Sequence, residues 1–261
     1  MKLVTKVVLI IALIGNSFAL GNALFIRDTL KVYPFDPVVV TGTRVEMLKS
    51  DIPLSISVIS ERIINEQQHI PLLDLVSENV PGVFVTRRTN IGYGVGRGSG
   101  GQISIRGIGS FPNTQVLVLI DGRPDIMGLF GHPLGDAYFL HDVKKIEVIR
   151  GPASLLYGSN AMGGAINIIT NHKHKKGFHV NLPVRYGSFN TKQSFIRQSY
   201  QGNRWGYLIS AGYRDCDGFR KDGDDSYSSA SSNVEVNAKI CDNLKVFINS
   251  YISNLKVCDP R

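Results

Sequence analysis

Arg204 to Arg214 reads R-W-G-Y-L-I-S-A-G-Y-R. Its odd positions are Trp205, Tyr207, Ile209, Ala211 and Tyr213, and between them lie Gly206, Leu208, Ser210 and Gly212. Successive side chains of a strand point to opposite faces, so this is a strand with one aromatic, apolar face and one small, mostly polar face. The pattern recurs on both sides. Gly177 to Gly187 alternates Phe178, Val180, Leu182, Val184 and Tyr186 against His179, Asn181, Pro183 and Arg185. Asn233 to Ile240 alternates Val234, Val236 and Ala238 against Glu235, Asn237 and Lys239, and Leu244 to Ser253 sets Leu244, Val246, Ile248 and Ile252 on one face. Thr191 to Tyr200 alternates poorly. Segments of about ten residues with period 2 and aromatics near their ends are the mark of membrane barrel strands, apolar to lipid and polar to the lumen. A soluble antiparallel sandwich alternates in the same way. Loop lengths favour the barrel: Gln201 to Asn203 and Cys241 to Asn243 are short, whereas Arg214 to Ser231 is long and polar.

The start of the chain is an address. Lys2 and Lys6 precede the apolar run Val7 to Ile14, and Ser17-Phe18-Ala19 and Gly21-Asn22-Ala23 are small-x-Ala cleavage candidates. This reads as a signal peptide over 1–23. The run is too short for a spanning helix, which needs about 20 apolar residues. Lys and Arg number 29 and Asp and Glu 21, giving 29 − 21 = +8 over 261 residues, with 43% hydrophobic and 19% charged. Those values exclude a disordered chain. The basic balance does not indicate nucleic acid, because no long cationic run is interleaved with aromatics.

Between these zones, 24–45 is an extension without helical period and 46–175 reads as a mixed α+β domain. Strands are expected at Ser55 to Ile59, Val83 to Thr86, Gln102 to Arg106, Val116 to Ile120, Lys145 to Arg150 and Ala165 to Thr170. Ser60 is a candidate N-cap for a helix through Gln67, and Pro71 sits near the first turn of a second, Leu72 to Glu78. Asp121-Gly122 reads as a turn.

Three blocks together resemble the N-terminal part of a TonB-dependent outer-membrane receptor. They are DPVVVTGTR (Asp36 to Arg44), ISIRGIG with VLVLIDGRP (Ile103 to Gly109, Val116 to Pro124), and KIEVIRGPASLLYGSNAMGGAINIIT (Lys145 to Thr170). The resemblance implies an α+β plug domain followed, over 176–261, by about five antiparallel β-strands of an incomplete transmembrane β-barrel. It implies a place in the outer membrane, among its lipid and lipopolysaccharide, and import of a scarce ligand, an iron–siderophore chelate first and cobalamin or haem next. It implies TonB as partner, engaging Asp36, Pro37, Val38, Val39, Val40 and Thr41 by strand addition, a mode open to any free extended segment. The ligand would meet two plug loops, through Tyr93 and Arg97 in one and Asp125, Phe130, His132 and Tyr138 in the other. Arg106 and Arg150 would lock the plug to carboxylates of later strands. The family barrel has about 22 strands, so the chain is expected to be a fragment or truncated product, with its strands in an open, curved sheet.

Other chemistry is not indicated. Gly96, Gly98 and Gly101 match G-x-G-x-x-G, but no strand precedes them and no helix follows. No cofactor, metal site or catalytic set is expected, and His132 has no paired His or Cys nearby. His172 to Lys176 reads as a solvated hinge. In a barrel Cys216 and Cys241 lie at opposite strand ends, about 25 Å apart, while a Cys216–Cys258 bridge stays open. The competing reading is a non-transporting secreted or envelope binding module of α+β type.

Overall fold

The computed structural model describes residues 38–39, 47–87, 89–93, 101–109, 114–126, 133–140, 142–171, 176–220, 225–241 and 244–258. The expected signal peptide, most of the expected hinge at 172–176 and most of the glycine-rich loop fall outside them.

The N-terminal half is built on one five-stranded sheet. Its strands are β3 (Ile56–Ile59), β6 (Val116–Ile120), β7 (Arg123–Pro124), β8 (Val143–Arg150) and β9 (Gly164–Thr170), in the order β3-β8-β9-β6-β7. β6 and β9 run parallel and the other pairs antiparallel. Asp121 and Gly122 turn β6 into β7 with φ of 50° and 77°, the left-handed pair that a two-residue hairpin requires. Asp121 anchors the turn by accepting from Thr170 N at 2.8 Å and Thr170 Oγ1 at 2.7 Å.

Alternation gives this sheet two cores. Val116, Val118, Ile146, Val148, Ile166 and Ile168 point to one face, where they meet α1 (Glu61–Glu66) and α2 (Leu72–Asn79) through Ile64, Leu72, Leu73, Leu75 and Val76. Leu117, Leu119, Ile149 and Ala165 point to the other. There they are covered by Val39 of β1 (Val38–Val39), Ile52, Ala153 and Ala161. β1 pairs antiparallel with β2 (Met47–Leu48). A small pair, β4 (Val83–Val85) and β5 (Ile103–Ile105), closes the first core. Ser60 and Pro71 hold the N-cap positions of the two helices, but the Ser60 hydroxyl makes no capping bond.

The C-terminal half is one antiparallel sheet, ordered β10 (Gly177–Asn181), β12 (Thr191–Gln201), β13 (Trp205–Cys216), β14 (Tyr227–Cys241) and β15 (Leu244–Val257). β11 (Val184–Gly187) pairs with the first four residues of β12, Thr191 to Ser194. The sequence pointed to one continuous strand over Gly177 to Gly187; the ladder instead breaks at Leu182-Pro183, where proline has no N–H to donate. The sheet is open, as expected, with β15 at one edge. Its last strands are longer than their alternation suggested. β14 begins at Tyr227, not Asn233, so the connection from β13 shrinks to 217–226. The three cysteines are free, and the open Cys216–Cys258 pairing is not formed.

Candidate functional site: the seam between plug and wall

The long sheet is inside out by the standard of a soluble protein. On β13, Trp205, Ile209 and Tyr213 are 52%, 46% and 43% exposed, whereas Ser210 and Arg214 are 2% and 5% exposed. On β14, Val234 and Val236 are exposed while Glu235 is buried. The polar face packs against the first half of the chain and the apolar face meets the surroundings. A soluble sandwich does the reverse, burying its apolar face. Burying apolar area is the main favourable term in water, so this arrangement suits a sheet whose outer solvent is hydrocarbon. Tyr200, Trp205 and Tyr207 cluster at one end of that outer face, with ring centroids 5.0 to 6.1 Å apart, as aromatics do at a membrane interface. Among the described residues no helix is long and apolar enough to cross a membrane.

Several contacts among the described residues join the inner face to the α+β domain. Asp142 Oδ2 accepts from Ser210 Oγ at 2.7 Å, and Arg197 Nε lies 3.4 Å from Asp142 Oδ1. Arg197 and Ser210 are cross-strand partners, so one carboxylate straddles the ladder. Arg185 donates to Gln68 Oε1 and Gln193 to the His69 carbonyl, both at 3.3 Å. Tyr251 Oη donates to the Ala137 carbonyl at 2.8 Å. Ile91 packs with Cys216 and Tyr227, and Gly92 lies so close to Tyr227 that no Cβ fits between them. Sequence reading found none of these pairs. They are single polar residues in unrelated segments, and only the ladder register brings them together.

The expected site residues fall in several places. Arg97, Phe130 and His132, and Asp36, Pro37, Val40 and Thr41, lie outside the described residues. Val39 is paired and fully buried, so the expected free strand is docked in this structure. Tyr93 and Tyr138 turn their rings inward, at 2% and 4% exposure. Tyr93 Oη donates to Asp74 Oδ1 at 3.1 Å, and Tyr138 Oη donates to Asp125 Oδ2 at 2.7 Å. Burial, with a carboxylate beside each phenol, pushes both pKa values well above 10. Asp125 and Tyr138 line a cavity of 460 Å³ between the two halves, with Arg123, Asp142, Ser210 and Tyr251. Arg106 Nη2 donates to Ser55 Oγ at 3.1 Å, whereas Arg150 meets Ser55 through its backbone N, at 2.9 Å from the carbonyl, and sends Nη1 to the Pro81 carbonyl at 3.4 Å. Among the described residues, neither arginine meets a carboxylate.

Residues 48–165 match the TonB-dependent Receptor Plug Domain. This segment is a TonB-dependent receptor plug domain. The vitamin B12 transporter BtuB of Vibrio vulnificus is 34% identical over 191 residues, covering 70% of this chain and 28% of that protein. The iron-regulated outer membrane virulence protein of Vibrio cholerae is 39% identical over 154 residues, covering 56% and 21%. Among solved structures, the ferripyoverdine receptor of the outer membrane of Pseudomonas aeruginosa aligns with a TM-score of 0.67 at 18% identity, over 84% of this chain and 27% of that one. The siderophore receptor PiuA from Acinetobacter baumannii aligns with a TM-score of 0.66 at 20% identity, over 85% and 29%. The chain thus spans between a fifth and a third of the length of these relatives. The family consists of outer-membrane receptors and transporters, not enzymes, and the inside-out sheet is the first part of its barrel wall.

Proposed function

We propose that the receptor carrying this chain imports a scarce, large ligand with energy supplied by TonB. The observation that carries this reading is a plug seated on the polar inner face of a wall whose outer face is apolar. Such a plug must move before anything of ligand size passes. An iron–siderophore chelate is the favoured cargo and cobalamin the second, as the names of the relatives support both. Asp36 to Thr41 is the segment TonB would take. Val39 is held by β2 and the second core, so strand addition requires β1 to leave that core first. Arg106 and Arg150 would lock the plug to carboxylates on later strands. The loops that hold Tyr93 and Arg97, and Asp125, Phe130, His132 and Tyr138, would carry the ligand contacts. The two buried tyrosines would brace the loop bases.

Uptake decides the matter. Cells producing the receptor should accumulate radiolabelled ferric chelate or cobalamin only when TonB is present. Accumulation independent of TonB, or recovery of the protein in the soluble periplasm, would sink the reading and favour a secreted binding module.

A further inference from the structure

Two plug loops leave the core near each other, and the structure ties them at one buried point. Tyr93 ends the described entering limb of the first loop. Its ring packs under Gly101, where that loop returns: a Cβ on Gly101 would lie 3.1 Å from Tyr93 Cβ. The same ring lies against Gly135 in the second loop, where an added Cβ would stand 3.0 Å from Tyr93 Cδ2. The next residue, Asp136, is 4% exposed. Its Oδ1 accepts from Tyr93 N at 2.9 Å. A buried carboxylate is tolerated only where donors or cations meet it, and here a donor comes from the other loop. On the nearby wall, Arg214 is 5% exposed and its guanidinium lies 4.4 Å from the ring centre of Phe139, three residues after Asp136. Gly92, next to Tyr93, abuts Tyr227 of the same wall.

We propose that Asp136 is a positioning residue that joins the bases of the two plug loops into one unit, so that a ligand touching either loop moves both. This rests on the receptor reading for its purpose. The coupling itself does not depend on which ligand is carried.

The test is amide hydrogen exchange on the receptor in detergent, without ligand. Asp136→Ala should speed exchange about tenfold or more at residues 89–93 and 101–102, in the other loop, while 61–66 stays unchanged. Asp136→Asn keeps an acceptor for Tyr93 N and should restore slow exchange there, which a general loss of packing would not do. Tyr93→Phe loses the bond to Asp74 but keeps the backbone donor. It should loosen 72–79 and leave 133–140 protected. Faster exchange confined to 133–140 in Asp136→Ala overturns the proposal. So does loosening of 133–140 by Tyr93→Phe, because the Tyr93 hydroxyl and not the Asp136 carboxylate would then be the link. Should Asp136→Ala fail to fold, Asp136→Asn and Tyr93→Phe still decide. With no ligand added, an error about the cargo leaves the result intact.

Discussion

Gly92→Ala tests how tightly the plug is seated on the wall. Gly92 has no left-handed backbone demand, so alanine brings only a methyl group. That methyl would overlap Tyr227 Cδ2 and stand 2.7 Å from Cε2 and 2.9 Å from Thr89 Oγ1. Carbon atoms rest about 3.5 to 4.0 Å apart, so the ring must retreat by more than about 1 Å. It has little room. Tyr227 is 2% exposed and packs with Ile91 and Cys216. Thr89 is equally fixed, because its hydroxyl donates to the Gly92 carbonyl at 2.6 Å and accepts from Gly92 N at 2.8 Å. Overpacking of this kind costs about 1 to 3 kcal/mol, a factor of about 5 to 150 in the equilibrium for plug release. The assay is a urea titration of the purified protein, read by protease cleavage of the plug. Gly92→Ala should lower the midpoint. In a Tyr227→Ala background the same substitution should cost clearly less, since the obstructing ring is gone and only the Thr89 hydroxyl still crowds the methyl. Equal costs in both backgrounds would show that Gly92 does not bear on the wall.

Further outcomes follow from the same contacts. Asp121→Ala removes two acceptors from Thr170 and puts alanine at a φ of 50°; thermal melting should show a loss of about 2 to 4 kcal/mol, and Asp121→Asn should lose less. Tyr93 and Tyr138 have folded-state pKa values above the unfolded value of 10, so the folded plug holds protons that the unfolded chain releases. Stability should be flat with respect to these groups below pH 10 and fall as pH rises beyond it; Tyr138→Phe should blunt the fall in an alkaline titration. Val39→Pro removes a backbone donor and a buried side chain from β1 and should abolish TonB-driven uptake while leaving ligand binding intact; retained uptake counts against the coupling role.

Much of this fold was legible because its strands carry strong periodicity. Trp205 to Tyr213 places every outward residue correctly, since lipid selects apolar side chains at each alternate position. Ser228 to Ser232 was unreadable for the opposite reason. A run of serines and one alanine has no apolar period, yet the ladder extends through it because β13 and β15 supply partners on both sides. Pro183 was visible in the sequence, but its consequence needed the register to β12. The seam was least legible. Asp142, Arg197 and Ser210 carry no motif, and Gly92 looks like any loop glycine until Tyr227 stands beside it. Tyr93 and Tyr138 show the limit of position within a loop as a guide. An aromatic at a loop base serves the core as readily as a ligand.

The central claim is that Trp205 to Cys216 turns its odd residues to lipid and its even residues to the plug. Nitroxide labels placed singly at 208, 209, 210 and 211, after Cys216, Cys241 and Cys258 are replaced by serine, measure this directly in membranes. Labels at 209 and 211 should collide freely with oxygen, which concentrates in the bilayer, and be shielded from a water-soluble nickel chelate. Labels at 208 and 210 should be shielded from both. Access to the nickel chelate at 209 and 211, with no alternation along the strand, would contradict a membrane wall.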